Sequence, residues 1–127
     1  MTSPHRLLIV DDEEAILFAM GDFLVRCGYQ VDSASSREQA ERLLAGGHTY
    51  ALAILDLRLS AAEPRGGLEL LRRIRQSTPQ TQTILLTAYG SPEVEAELAA
   101  LGASRMLSKP QPLASLAAEV AALLASR

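Results

Sequence analysis

The chain alternates short apolar runs with longer amphipathic segments, and this alternation limits the folds that it can adopt. The runs that we predict to be strands are residues 7–10, 29–34, 50–55, 82–88 and 104–109. Each is followed by a stretch whose apolar residues recur at helical spacing. Strands that alternate with helices form a parallel sheet covered by helices on both faces. We predict an α/β fold, a flavodoxin-like doubly wound parallel sheet of five strands in the order 2-1-3-4-5, with five helices.

Residues that start and stop helices lie where this pattern needs them. Ser36 and Ser91 precede predicted helices and can accept a hydrogen bond from the first turn, and Pro92 suits the first helical position. Gly28 follows the first predicted helix, where a glycine commonly ends a helix. The boundaries therefore agree with the alternation.

Size and composition indicate one globular domain. The chain has 127 residues, of which 48% are hydrophobic and 21% are charged, with a net charge of −3. The negative charge argues against direct nucleic-acid binding. A single cysteine, Cys27, excludes an internal disulfide, and we expect it to be buried near a helix end. We see no signal peptide or membrane-spanning run, and we expect a cytoplasmic stand-alone protein, residues 1–127 forming one domain with no output domain in this chain.

Polar side chains follow the predicted strands at one edge of the sheet. Ligands of open parallel sheets bind beyond the carboxyl ends of the strands, where the strand order reverses. Asp11, Asp12 and Asp56 follow strands one and three, Thr87 ends strand four, and Lys109 follows strand five. Three converging carboxylates repel one another by about 4 kcal/mol per pair at 4 Å and an effective dielectric near 20. An all-oxygen acidic site of this kind suits Mg²⁺, or Mn²⁺ in its place, and a bound cation would attract a phosphoryl group.

Four segments in this order carry a family resemblance. They are LLIVDDEE at 7–14, LAILDLRL at 52–59, ILLTAYG at 84–90 and MLSKP at 106–110. Together they resemble the signature segments of the receiver domains of response regulators, which act in two-component signalling. The resemblance extends from about residue 6 to residue 124.

The resemblance implies a role for each polar residue at the sheet edge. Asp56 would be the phosphoacceptor and a metal ligand. Asp12 would bind Mg²⁺ directly, Asp11 would act mainly through a metal-bound water, and the backbone carbonyl of Arg58 would be a further ligand. Two more residues, Thr87 and Lys109, would contact the phosphoryl group.

The resemblance also implies features around that site. The peptide bond from Lys109 to Pro110 would be cis, a geometry that proline permits. Arg58 and Tyr89 would flank the path of the water that attacks the phosphoryl group. Met106 stands where receivers usually carry a switching aromatic residue. Phosphorylation would be reported on the face of the fourth helix, fifth strand and fifth helix, near Val94, Leu98, Arg105, Leu116 and Val120.

The segment after Asp56 departs from the family pattern. Ser60 stands where a proline is usual, and Gly67 lies about three positions later than the usual glycine. We therefore predict a long loop, with the segment SAAEPRG standing out into solvent. Met106 and Gln111 also replace the usual residues of the strand-five region.

The leading hypothesis is a phosphorylation-dependent switch that is not a turnover enzyme. A histidine kinase or histidine phosphotransfer protein would donate the phosphoryl group, and a downstream protein would bind the phosphorylated form; we expect no membrane partner. The alternative is a receiver-fold interaction module that acts without phosphorylation. A metal-dependent phosphatase would need an aspartate at Arg58, and a flavodoxin would not place four acids, DDEE, in its first phosphate-binding loop.

Overall fold

The computed structural model describes residues 4–62, 64–88 and 90–126 of the chain. Within these ranges, five strands alternate with five helices as the sequence predicts. In chain order they are β1 (Arg6–Val10), α1 (Glu14–Arg26), β2 (Gln30–Ala34), α2 (Arg37–Ala45), β3 (Leu52–Asp56), α3 (Gly66–Ser77), β4 (Gln82–Thr87), α4 (Pro92–Ala100), β5 (Arg105–Ser108) and α5 (Leu113–Ala125).

The five strands form one parallel sheet in the order β2-β1-β3-β4-β5. This confirms the predicted flavodoxin-like order. The strand order reverses between β1 and β3, whose carboxyl ends lie side by side with Val10 opposite Leu55. The carboxyl ends of β1 and β3, beyond which we predicted the site, therefore lie next to each other at the point where the strand order reverses.

Both faces of the sheet are buried, because alternate side chains of the central strands enter two separate cores. Leu8 and Val10 of β1 face one core, while Leu7 and Ile9 face the other. The first core is completed by α2, α3 and α4, and the second by α1 and α5. This arrangement explains why β1 and β3 are almost continuously apolar rather than alternating.

The observed helix ends agree with the predicted signals. The hydroxyl oxygens of Ser36 and Ser91 each accept a hydrogen bond from a backbone N–H three residues later, both at 3.2 Å. Gly28 adopts a φ of +102°, the left-handed conformation that favours glycine after a helix. The expectation for Cys27 was wrong. It is exposed, because Leu24 occupies the core side of the last turn of α1.

The third strand differs from its predicted bounds. We predicted residues 50–55, whereas β3 begins at Leu52 and includes Asp56, which is in register with Leu86 of β4. The site aspartate is therefore held by the sheet ladder itself. Within the described ranges, none of the helices has both the length and the apolar character needed to cross a bilayer.

Candidate functional site

The structure brings the predicted polar residues together at the carboxyl edge of the sheet. Asp11 and Asp12 directly follow β1, Asp56 and Thr87 end β3 and β4, and Lys109 directly follows β5. All of them except the fully buried Asp11 line a hollow of about 420 Å³. Its lining residues are Asp12, Glu13, Asp56, Leu57, Arg58, Ala61, Pro64, Thr87, Ala88 and Lys109.

Lys109 is the positive centre of this cluster. Its ammonium donates a hydrogen bond to Oδ2 of Asp56 at 2.8 Å and lies 3.0 Å from Oδ2 of Asp11. Its backbone N–H donates to the carbonyl of Thr87 at 2.8 Å, so the end of β5 is held against the end of β4. The Lys109–Pro110 peptide bond is cis, the geometry that the resemblance implies.

The two adjacent N-terminal acids have different surroundings. Asp11 is fully buried, and its Oδ1 accepts a hydrogen bond from the backbone N–H of Glu13 at 2.9 Å. Its Oδ2 has no hydrogen bond with good geometry, although the Lys109 ammonium lies close. Asp12 is exposed at the mouth of the hollow. The carboxylate of Asp11 is thus mostly in contact with protein groups, while the carboxylate of Asp12 is accessible to an external ligand.

Burial and charge act in opposite directions on the ionisation of this site. Burial raises the pKa of Asp56, the hydrogen bond from Lys109 lowers it, and the nearby Asp11 raises it again, so that the net pKa lies above the ordinary value. Burial lowers the pKa of Lys109, but its bonds to Asp56 and Asp11 outweigh burial and raise it. Lys109 therefore stays protonated, and ionisation of the neighbouring Asp56 carboxyl is less favourable than it is in water.

The carboxylates fit a divalent cation. Asp11, Asp12 and Asp56 each offer an oxygen, and these three oxygens lie within 4.8 Å of one another. Hard oxygen ligands with room for water suit Mg²⁺.

A close approach behind Asp56 was only partly visible in the sequence. The backbone N–H of Gly67 donates to the carbonyl of Leu57 at 2.9 Å, so the start of α3 lies directly against the end of β3. A Cβ atom at Gly67 would lie 2.3 Å from the carbonyl oxygen of Asp56. Only glycine fits there, which supports Gly67 as the displaced counterpart of the usual glycine.

Of the segment SAAEPRG that we predicted to stand out into solvent, Ala61, Ala62, Pro64 and Arg65 are exposed. The prediction was wrong for Gly66, which is buried because it begins α3, and Ser60 is only half-exposed; Glu63 lies outside the described residues. Sequence reasoning missed two effects of this loop. Ala61 and Pro64 line the hollow, and Leu59 is buried at the base of the loop. No periodic pattern marks a loop residue as a wall of a site, so only the folded chain shows this.

Sequence reasoning also missed Glu13. Its Oε1 lies 3.8 Å from the ammonium of Lys109, and its side chain lines the hollow. The signal available in the sequence was its position directly after Asp12. Glu13 therefore joins Asp12 and Asp56 as a third carboxylate in the lining of the hollow.

The predicted residues beyond the charged cluster have mixed outcomes. Met106 is partly buried and packs against the core that contains Leu98 of α4. Tyr89 lies outside the residues that the structure describes. Of the residues named for the reporting face, Leu98, Leu116 and Val120 are buried, so they were wrongly assigned to a surface. They are buried because they occupy the sheet-facing stripes of α4 and α5.

A match to a protein-family model shows to which family this chain belongs. The model of the response regulator receiver domain matches residues 7–121, nearly the whole described sheet and its helices. The chain belongs to the response regulator receiver domain family. The resemblance seen in the sequence is thereby confirmed, and receiver domains are components of two-component signalling.

Individual relatives agree with the family assignment. The response regulator PilR of Pseudomonas aeruginosa is 36% identical over 98% of this chain, and the photosynthetic apparatus regulatory protein RegA of Rhodobacter capsulatus is 32% identical over 85%. This chain spans 27% of the length of PilR and 56% of the length of RegA. Both relatives are therefore considerably longer than the part that this chain matches.

Solved structures support the same fold. A CheY-like receiver domain from Methanospirillum hungatei JF-1 superimposes with a TM-score of 0.87 at 29% identity, covering 98% of this chain and 96% of that one. A response regulator from Burkholderia pseudomallei, solved with a phosphorylated aspartic acid, a calcium ion and citrate, gives a TM-score of 0.78 at 28% identity. That match covers 93% of this chain and 71% of the other.

Proposed function

We propose that this receiver domain is a phosphorylation-dependent switch in which Asp56 accepts a phosphoryl group from a histidine kinase or a histidine phosphotransfer protein. The observation that carries the proposal is the position of Lys109, 2.8 Å from Oδ2 of Asp56 and 3.0 Å from Oδ2 of Asp11. A lysine held between a candidate nucleophile and a candidate metal-site acid can pair with a phosphoryl group that forms on the nucleophile. The Burkholderia pseudomallei relative carries its phosphoryl group on an aspartic acid.

The chemical step needs an ionised carboxylate at Asp56. One of its oxygens attacks the phosphorus of a phosphohistidine, the P–O bond forms, and the P–N bond breaks with its electron pair leaving on the imidazole nitrogen. Lys109 then pairs with a phosphoryl oxygen, and the hydroxyl of Thr87 donates a hydrogen bond to another. Both side chains already line the hollow into which the phosphoryl group would project.

Mg²⁺, or Mn²⁺ in its place, would be held by Asp12 and Asp56 directly, by Asp11 mainly through water and by the backbone carbonyl of Arg58. When bound, the cation would offset the negative charge that gathers on the transferring phosphoryl group. The exposure of Asp12 and the contact between the Lys109 ammonium and the buried Asp11 support this division between direct and water-mediated contacts.

The lifetime of the phosphoryl group depends on access of water to the hollow. Arg58 is an exposed lining residue two positions after Asp56, where its long side chain can lean over the phosphoryl group. We propose that Arg58, together with Tyr89, hinders the attacking water and gives a long-lived phosphoaspartate. An Arg58→Ala variant that lost its phosphoryl group no faster than the parent protein would contradict this role.

The output is proposed to be a change in protein binding on the α4, β5 and α5 face. Thr87 and Lys109 lead directly into these elements, and the exposed part of the face includes Arg105, which pairs with Glu119 of α5 at 3.3 Å. Met106 lies beneath this face and would repack when Thr87 moves toward the phosphoryl group. We propose a downstream protein as the partner, a cytoplasmic location and no direct contact of this domain with nucleic acid.

The second candidate is a receiver-fold interaction module that needs no phosphorylation. Two departures from the usual pattern favour it, the long loop after β3 and the flexible Met106 in the switching position. Such a module would bind its partner equally well with Asp56 unmodified.

Incubation with phosphoramidate decides between the two candidates. The protein is expected to gain one phosphoryl group by intact mass when Mg²⁺ is present, and none when it is chelated. Asp56→Asn should not be labelled, whereas Asp32→Asn, which alters an acid away from the hollow, should be labelled like the parent. Equal labelling of Asp56→Asn and the parent would remove the proposed function, and an unlabelled parent protein would favour the interaction module.

A further inference from the structure

The long loop between β3 and α3 is anchored to the core at its base. Leu59 is only 2% exposed and packs in the core beneath α3. A Cβ atom at Gly66 would lie 2.9 Å from Cδ1 of Leu59, so the two ends of the loop meet closely around this leucine. The base is therefore defined, although the residues beyond it are exposed.

A second anchor lies at the end of the loop. Arg65, the residue before α3, forms an ion pair between its Nη2 and Oε1 of Glu97 in the middle of α4. Both side chains are partly exposed, at 50% and 38%. The pair joins the loop to the helix that follows Thr87 in the chain, a connection that neither segment predicts on its own.

Between these anchors, the loop contributes to the lining of the hollow beside Asp56. Ala61 and Pro64 of the loop line the hollow together with Thr87 and Lys109. Neither Ala61 nor Pro64 can donate a side-chain hydrogen bond, so these two residues offer no side-chain donor to an incoming water. The position of Ala61 and Pro64 therefore determines how accessible Asp56 is to an incoming molecule.

We propose that Arg65 and Glu97 are a positioning pair, which holds Ala61 and Pro64 against the hollow and limits the access of water and small phosphodonors to Asp56. The inference rests on the proposed function of Asp56 as phosphoacceptor. It concerns access and not chemistry, because neither side chain of the pair lines the hollow.

Access and chemistry make different kinetic predictions. A small donor and the attacking water both pass Ala61 and Pro64, so loosening the loop speeds phosphorylation and hydrolysis together. The steady-state level of phosphorylation then changes little. Loss of a group that acts on the phosphoryl transfer itself would instead change the two rate constants unequally.

The test compares Arg65→Ala, Glu97→Gln and the charge-swapped double variant Arg65→Glu/Glu97→Arg with the parent protein. The matched control is Arg73→Ala, which breaks the similarly exposed pair of Arg73 and Glu41 between α3 and α2, at 3.7 Å. Two quantities are measured. They are amide hydrogen exchange of residues 58–66 in the unphosphorylated protein and the rate constants of labelling by phosphoramidate and of phosphoryl loss.

Both single variants are expected to raise loop exchange and both rate constants about two- to fivefold, the range of one surface ion pair. The charge swap should restore them, and Arg73→Ala should leave them unchanged. Unchanged exchange in both single variants, or faster exchange without faster phosphoryl chemistry, would overturn the inference. A parent protein that gains no phosphoryl group would instead remove the proposed function, and the exchange arm alone would decide whether the pair holds the loop.

Discussion

The ammonium of Lys109 lies 2.8 Å from Oδ2 of Asp56, although 53 positions separate the two residues in sequence. Their strands are not neighbours, since β4 lies between β3 and β5. Lys109 therefore reaches across the end of β4, past Thr87, to the carboxylate. This one contact joins three strands of the sheet at the site and is the source of the first two predictions.

Removing the lysine charge should destabilise the protein. Lys109→Met leaves Asp11 and Asp56 buried without their cation, and breaking such a pair costs on the order of 3 kcal/mol. We expect a lower midpoint of urea unfolding in the presence of a chelator, with partial recovery when Mg²⁺ is added. Lys109→Arg keeps the charge and is the control. A Lys109→Met variant as stable as the parent would contradict the ion-pair assignment.

Removing the carboxylate charge should have the opposite effect. Because the pKa of Asp56 is raised, the native state binds more protons than the unfolded chain between the ordinary and the raised value. The contribution of Asp56 to stability therefore falls as the pH rises through that window, and its charge is a cost at neutral pH.

Asp56→Asn is accordingly expected to raise the Tm by about 2–5 °C at pH 7 with a chelator present. The advantage should shrink at pH 4 and when Mg²⁺ stabilises the parent protein. The measurement is thermal unfolding followed by circular dichroism at both pH values. A Tm below that of the parent at pH 7 would show that the pairing with Lys109 outweighs burial.

Gly67 should not tolerate a side chain. Gly67→Ala places a methyl group 2.3 Å from the backbone carbonyl oxygen of Asp56, and backbone cannot move aside as a flexible side chain can. We expect a loss of about 2–3 kcal/mol in denaturant unfolding. The control is Gly21→Ala in α1, where the nearest atom would be 3.4 Å away and helix propensity favours alanine. Equal stability of the two variants would contradict the close approach.

The two N-terminal acids should contribute unequally to metal binding. Asp11 is already engaged by Glu13 and Lys109, whereas Asp12 is open to a ligand. Asp12→Ala should weaken Mg²⁺ affinity on the order of tenfold by isothermal titration calorimetry, and more than Asp11→Ala does. Glu14→Ala, in the first turn of α1, is the control for general acidity. Equal losses for Asp11→Ala and Asp12→Ala would remove the distinction between direct and water-mediated contact.

Met106 should influence how much the conformation of the protein changes on phosphorylation. Methionine is flexible and can fill space in several rotamers, so the inward and outward states should differ little in energy. Met106→Tyr is expected to enlarge the change in α4 amide exchange that beryllofluoride, a mimic of the phosphoryl group, produces. An unchanged difference in a variant of unchanged stability would mean that Met106 is only a core residue.

The sequence by itself determined the number and order of the elements and most of the site. Periodicity identifies strands such as β1, predicted over residues 7–10, because a strand buried on both faces must be almost wholly apolar. The parallel alternation then sends Asp11, Asp12, Asp56, Thr87 and Lys109 to one edge, since every strand end points the same way. These are local or topological constraints, and they can be read without coordinates.

Only the tertiary structure decided what depends on distance between segments. The burial of Asp11 against the exposure of Asp12, the fit of Gly67 behind Asp56 and the pairing of Arg65 with Glu97 involve groups far apart in the chain or differently oriented neighbours. The error at Leu116 and Val120 has the same origin. The sequence places α5 beside the sheet, but the rotation of a helix about its axis is set by the core into which it packs.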